Sequence, residues 1–205
     1  DGSSVTAIRT GAASGLATHY LSKPNSKKAV VFGNGAQAKT QIEAILSVRN
    51  LEEVLVIGRD PDKVQSFCNQ FETKVAPGQI DDLKKADIIC TATTSSDPLF
   101  DFANISKGTH INAVGAHGQT KRELPTKLIQ GAKVYVDSLS SSQVEAGNLL
   151  IPIERGEYEW SLVEGEIGSF IESNTKISDH ESNITVFSSV GSAVQDLVIA
   201  VMVME

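Results

Sequence analysis

The sequence of 205 residues predicts an α/β protein, a doubly wound parallel sheet with helices on both faces and flanking helices at the two ends. Three observations predict it. From Lys28 onward, short apolar runs alternate with stretches of helical periodicity. The first of those runs ends in a glycine-containing turn that opens a helix. Hydrophobic residues make up 40% of the chain and charged residues 21%, which is ordinary for a globular protein and sufficient for one good core. Parallel neighbours need a crossover, and crossovers are right-handed, so repeated strand–helix units build a single sheet.

Taken in order, Thr6 to Leu21 is rich in alanine and glycine and reads as a closely packed helix. Ala29-Val30-Val31-Phe32 is a continuous apolar run, as expected of a central parallel strand covered on both faces. Ala38, Ile42, Ile45 and Leu46 recur at helical spacing, and Val54-Leu55-Val56-Ile57 forms the second strand. Asp60-Pro61 marks the next helix start, with the stripe Val64, Phe67, Cys68, Phe71 behind it. Further strands are expected at Lys74 to Ala76, Asp87 to Ala92, Thr109 to Val114 and Lys133 to Asp137, with short helices between several of them. Ile184 to Phe187 reads as a strand leading into an apolar helix from Ser192 to Met204, and both terminal flanks are expected to fold back onto the sheet edge. Ile151 to Asp179 has weak periodicity and is expected to hold short helices and loops.

The net charge of -7, without clustered Lys and Arg, argues against a nucleic-acid surface, which needs basic groups to displace counterions. Cys68 and Cys90 lie in a helix and a strand and read as small core hydrophobes, which fits a reducing cytoplasm. No apolar run approaches the roughly 18 to 20 residues that span a bilayer, and the start Asp1-Gly2-Ser3-Ser4 lacks a basic region followed by an apolar core. No membrane association is therefore expected. His19, His110 and His180 have no ligand spacing with one another or with the cysteines, so no metal site is expected.

Gly33-Asn34-Gly35-Ala36-Gln37-Ala38 sits directly after a strand and opens a helix, the context in which a GxGxxA turn means something. Gly33 permits the tight turn, Gly35 lets backbone approach a pyrophosphate, and Ala38 allows close helix–strand packing. The helix N-terminus attracts the anion, so a Rossmann-type fold binding a nicotinamide dinucleotide is expected. The bland alternative is a glycine turn and nothing more. Roughly 20 residues further on, an acidic residue would hold the adenine ribose of NAD. Here Gly58-Arg59-Asp60 stands instead. Gly58 leaves room for a 2′-phosphate and Arg59 offers a planar fork to it, so NADP is expected, with NAD as the alternative. In the competing reading Arg59 is solvated and Asp60 caps the following helix.

Thr91-Ala92-Thr93-Thr94 ends the fourth strand at the carboxyl edge, where small residues can line a cofactor or simply make local turns. Asn112-Ala113-Val114-Gly115-Ala116-His117 carries the fifth strand into a loop at the same edge, and Val114 and Gly115 are counted with the cofactor contacts. His117 can give or take a proton beside the transferred hydride, although a loop histidine is more often solvated or structural. Arg9 lies in a small-residue helix, a poor place for a charge unless it reaches a carboxylate. The alternative is a stem lying along apolar surface. Asp137 and Asp196 read as fold-related.

These residues and their order resemble the ornithine cyclodeaminase/mu-crystallin family over nearly the whole chain. The motifs that carry the likeness are Asp1-Gly2 through Arg9-Thr10-Gly11-Ala12-Ala13-Ser14, the Gly33 to Ala38 loop, Thr91-Ala92-Thr93-Thr94, Ile111-Asn112-Ala113-Val114-Gly115, Arg122-Glu123-Leu124 and Ser189-Val190-Gly191-Ser192-Ala193-Val194-Gln195-Asp196. The resemblance implies that Arg9 holds the substrate carboxylate and that Ser189 and Gly191 lie beside the nicotinamide. It also implies an NAD(P)-dependent oxidoreductase acting at the C–N carbon of a small amino or imino acid. His117 stands where the cyclodeaminases carry a catalytic aspartate, which favours a ketimine or 1-pyrroline-2-carboxylate reductase, or an alanine dehydrogenase, over an ornithine cyclodeaminase. A non-catalytic NADP-binding module is the remaining alternative. The resemblance further implies a preceding domain with a catalytic lysine and the interface of a homodimer. Residues 1–27 are then a helical segment left from that domain, 28–150 the NAD(P)-binding domain, and 151–205 a segment returning to the sheet edge and cleft.

Overall fold

The computed structural model describes residues 1–72, 74–173 and 179–204. In chain order these form α1 (Gly2–Leu21), β1 (Lys28–Phe32), α2 (Ala36–Val48), β2 (Glu53–Ile57), α3 (Pro61–Cys68), β3 (Val75–Pro77), β4 (Ile88–Thr91), β5 (His110–Ala113), α4 (Thr126–Gly131), β6 (Ala132–Val136), α5 (Leu139–Glu145), α6 (Gly147–Glu154), β7 (Val163–Glu166), α7 (Ile167–Glu172), β8 (Ile184–Ser188) and α8 (Ala193–Met204), with short 3-10 turns between some of them. Every strand pair is parallel, in the order β3-β2-β1-β4-β5-β8-β6-β7. All strands therefore present their carboxyl ends to one edge, and the order reverses between β1 and β4, where open α/β sheets hold ligands.

The two-residue side-chain period explains why the central strands are continuously apolar. Val30, Phe32, Ile89 and Ile111 pack into a core on one face, while Ala29, Val31, Ile88 and Cys90 pack against α2 and α3 on the other. On that second face, α1 covers β5 and β8 beside α2. Its Gly11 lets the backbones close: a Cβ there would stand 2.8 Å from Thr40 O. Helix α3 starts as its sequence predicts, with Asp60 accepting from the amides of Asp62 and Lys63 and Pro61 in the first turn.

Three expectations need correction. The strand at Ile184 to Phe187 does not reach the sheet edge. It is inserted between β5 and β6 and buried along its whole length, because its Ile-Thr-Val-Phe-Ser run has a packed layer on each side. Nor is α1 an edge element, since it lies over the sheet face. Third, the weakly periodic stretch contains the edge strand β7, Val163-Glu164-Gly165-Glu166, which pairs with β6 through backbone rather than through an apolar pattern. Part of that stretch, 174–178, lies outside the described residues. Helix α8 packs on α1 and leaves Val194, Leu197, Val198 and Met202 exposed. Among the described residues, no helix is long and apolar enough to cross a membrane.

Under α1 the sheet carries polar side chains rather than apolar ones. The ring nitrogens of His110 meet Thr185 Oγ1 at 2.9 Å and Asn112 Oδ1 at 3.1 Å, and Asn112 Nδ2 donates to Thr18 Oγ1 at 2.8 Å. Burial holds the His110 pKa down to about 3, against a raising hydrogen bond from Asn112, and the nearby charges of Arg49 and His180 push the same way as burial. The ring is neutral. Arg49 closes the other end of α1, donating to the carbonyls of Thr18, His19 and Ser22 at a helix C-terminus, where carbonyls run short of backbone donors.

Candidate functional site

The turn between β1 and α2 is shaped for a close approach. Gly33 has φ 109°, which L side chains rarely adopt, and a Cβ there would lie 2.5 Å from Ala92 O. Gly35 is the N-cap of α2, has no side-chain cap bond, and has nothing within 4 Å of a Cβ position. The first amides of a 13-residue helix thus face open space, as an anion site requires. Gln37 Oε1 nearby is buried and has no hydrogen-bond partner among the described residues. Ala38 is fully buried against the strand. Asn34 stands beside Gly58 at the carboxyl end of β2.

At that same end, Arg59 is exposed and makes no hydrogen bond or ion pair among the described residues. Asp60 does cap α3: its Oδ1 accepts from the amides of Asp62 and Lys63, and these bonds hold its carboxyl below the usual range. The two competing readings of this tripeptide are therefore not exclusive.

The ends of β4 and β5 are joined by a residue that the sequence offers only as part of the Arg122-Glu123-Leu124 motif, without a role. Glu123 is fully buried, and its carboxylate accepts four hydrogen bonds: Thr93 N and Thr93 Oγ1 to Oε1, both at 2.7 Å, with Thr91 Oγ1 at 2.8 Å and Gly115 N at 3.0 Å to Oε2. Its own amide and that of Leu124 donate to Asn148 Oδ1 of α6. Burial pushes the Glu123 carboxyl up, and the four donors pull against that rise. Thr91 and Thr93 therefore turn their hydroxyls inward to Glu123 instead of lining the cleft with them. A glutamate in a polar loop reads as solvated, and only the glycine eight residues earlier and the buried leucine after it hint otherwise. Gly115 has to be glycine here, since a Cβ would stand within van der Waals exclusion of Thr93 backbone and Glu123. Val114 is buried and ties β5 to Thr91 O through its amide.

A second carboxylate does the same for the loop after β8. Asp137, at the end of β6, accepts from Ser189 Oγ at 2.8 Å and Gly191 N at 2.5 Å. Gly191, at φ 86°, lies flat against the Arg9 guanidinium, so that a Cβ there would overlap Arg9 Nη1. Arg9 is 8% exposed; its Nε donates to Asp196 at 3.1 Å and its Nη1 to Gln195 at 3.4 Å. An arginine held on one side by a carboxylate keeps the rest of its fork available for a second.

Comparison with known proteins agrees with this geometry. A family model described as "Ornithine cyclodeaminase/mu-crystallin family" matches residues 1–205. The chain belongs to the ornithine cyclodeaminase/mu-crystallin family. Among its relatives, a Delta(1)-pyrroline-2-carboxylate reductase of Bacillus thuringiensis is 37% identical over 98% of this chain and 63% of its own length. The ketimine reductase mu-crystallin of Mus musculus is 33% identical over 99% of this chain and 63% of its own. Among solved structures, the Thermococcus litoralis Delta(1)-pyrroline-2-carboxylate reductase in complex with NADH and L-proline superposes with a TM-score of 0.90, at 35% identity, over 97% of this chain and 63% of that one. The chain spans 63% of the length of the curated relatives just named.

In this member of the ornithine cyclodeaminase/mu-crystallin family, the glycine turn after β1, Glu123 with its partners, and the Arg9–Gly191 contact all lie at the carboxyl edge. His117 follows β5 at that edge, with its side chain exposed. The structure thus gathers Gly33 to Ala38, Thr91 to Thr93, Val114 to His117, Ser189, Gly191 and Arg9 onto one side of the sheet, with Gly58 and Arg59 at its β2 end.

Proposed function

We propose that this chain is the cofactor-binding portion of an NAD(P)-dependent oxidoreductase that transfers hydride at the C–N carbon of a small cyclic or linear imino acid. The observation that carries the proposal is the convergence, at one sheet edge, of an uncapped helix N-terminus behind Gly33 and a buried guanidinium lying on Gly191. The relatives' names and the NADH and L-proline held by the Thermococcus litoralis structure support it. The amides of Gly35 to Gln37 would hold the pyrophosphate, and a Cβ-free space at Gly35 fits that group. When bound, the reduced nicotinamide supplies the hydride. Arg9 orients the substrate carboxylate, and His117 carries the proton that the substrate nitrogen takes up.

The primary test is NADPH oxidation with 1-pyrroline-2-carboxylate by the protein that contains this chain. Enhanced NADPH fluorescence without turnover would leave a binding module only. Within that assay, Arg9→Ala is expected to raise KM for the imino acid roughly 10- to 100-fold, the worth of a charged hydrogen-bonded contact; an unchanged KM removes the assigned role.

NADP is the finer reading of the cofactor. It rests on Arg59, which has no partner among the described residues, and on Asp60, whose oxygen is engaged by the α3 amides rather than free for a ribose hydroxyl. Arg59→Ala is expected to lower the NADPH-to-NADH ratio of kcat/KM by roughly tenfold or more, mainly through the NADPH term. A ratio that stays at the wild-type value would favour NAD.

A further inference from the structure

We propose that Glu123 is a positioning residue that fixes the nicotinamide floor of this site and, through its buried negative charge, makes the site prefer the oxidised cofactor over the reduced one. The inference rests on the cofactor reading above. Its basis is geometric. Glu123 joins Thr91 and Thr93 at the end of β4 to Gly115 at the end of β5, so one side chain sets the spacing of the two strand ends next to the phosphate turn. The contact between Gly33 and Ala92 shows how near that floor lies to the turn.

The donor set argues for a carboxylate rather than an amide. Each oxygen faces one backbone N–H, from Thr93 or Gly115, and a backbone N–H cannot rotate away as a hydroxyl can. A glutamine would place its NH2 against one of those two donors. All four donors are neutral, and the described ion pairs include no Lys, Arg or His on Glu123. The ionisable groups on the neighbouring segments are turned elsewhere. Lys121 donates to Ser96, Arg122 has Arg155, Glu157 and Asp97 as its electrostatic neighbours, His117 is exposed, Cys90 lies on the α1 side with Asn112, and Glu154 ends α6. The charge is thus held by four neutral donors and by no cation among the described residues. An oxidised nicotinamide ring is a cation and a reduced one is neutral, so a carboxylate without a paired cation in a medium of low dielectric discriminates between them.

The experiment measures dissociation constants of the purified protein that contains this chain for the oxidised and reduced forms of one cofactor, by fluorescence and calorimetry. Glu123→Gln is expected to weaken the oxidised form roughly tenfold more than the reduced form. Equal weakening of both forms, the signature of a merely structural part, overturns the proposal. Should Glu123→Gln fail to fold, Thr91→Val keeps the test alive, because it deletes one donor and leaves both backbone amides in place. With one donor fewer the carboxyl protonates at a higher pH, so the preference for the oxidised form should fade on acidification at a higher pH than in the wild type. Coincident pH profiles overturn the proposal. A wild-type chain that binds neither form overturns instead the cofactor reading itself.

Discussion

Lowering the pH from about 7 to about 5 is expected to remove roughly 2 kcal/mol of folding stability through His110 alone, and about 4 kcal/mol by pH 3. The ring is buried and neutral, with its pKa held down to about 3, while an unfolded histidine titrates near 6.5. A base with a depressed folded pKa favours the native state fully above the unfolded pKa. That contribution is lost as the unfolded chain takes up a proton the folded chain refuses, so the loss begins near pH 6.5 and levels off below about 3. Total stabilities of about 5 to 15 kcal/mol make this a large fraction. Denaturant midpoints of wild type and His110→Gln, measured across that window, should diverge in slope, with the wild type falling faster. Parallel slopes would mean that the ring does not hold a neutral state in the fold.

Gly33→Ala and Gly35→Ala are expected to separate folding from binding. At Gly33 the backbone has φ 109° and the new Cβ would press on Ala92 O, so the substitution should cost about 2 to 4 kcal/mol of stability as well as cofactor affinity. At Gly35 the backbone is extended, φ -102°, and the Cβ meets no protein atom within 4 Å. Stability should change by less than about 0.5 kcal/mol. Affinity for NADP or NAD should nonetheless fall by about 3 kcal/mol, roughly 100-fold, because the methyl occupies the space assigned to the pyrophosphate. Titration calorimetry beside thermal unfolding reads both quantities. A Gly35→Ala chain that binds as tightly as wild type would refute the placement of the diphosphate.

Much of the β1-to-α3 half was legible because its signals are local. Ala29 to Phe32 and Val54 to Ile57 are covered on both faces, so each reads as an unbroken apolar run, and Asp60-Pro61 announces its own helix start. The other half is set by contacts distant in sequence. Nothing in Ile184 to Phe187 says which two strands will flank it, and Val163-Glu164-Gly165-Glu166 becomes a strand only because β6 offers its backbone. The glycine turn after β1 and the exposed Arg59 stand out as candidates from residue type and position. Glu123 enters only within the Arg122-Glu123-Leu124 motif and without a role, since its burial is created by three segments meeting. His110 and Asn112 did carry a signal, two polar residues two apart in a run otherwise fit for a core, which is what a strand roofed by a polar-faced helix requires.

The interior position of β8 has a consequence for how the chain acquires its shape. Strands β5 and β6 are not neighbours; each pairs with residues 184–188, which are synthesised after both of them. Until then both carry an unpaired row of N–H and C=O groups, the kind of edge that recruits other chains. Completion of the sheet is thus a late, non-local event and should be slow relative to formation of the β1–β2–β4 half. Nascent or heat-stressed copies halted before residue 184 would be open at a seam through the middle of the molecule, a predicament that invites aggregation and calls for chaperone shelter.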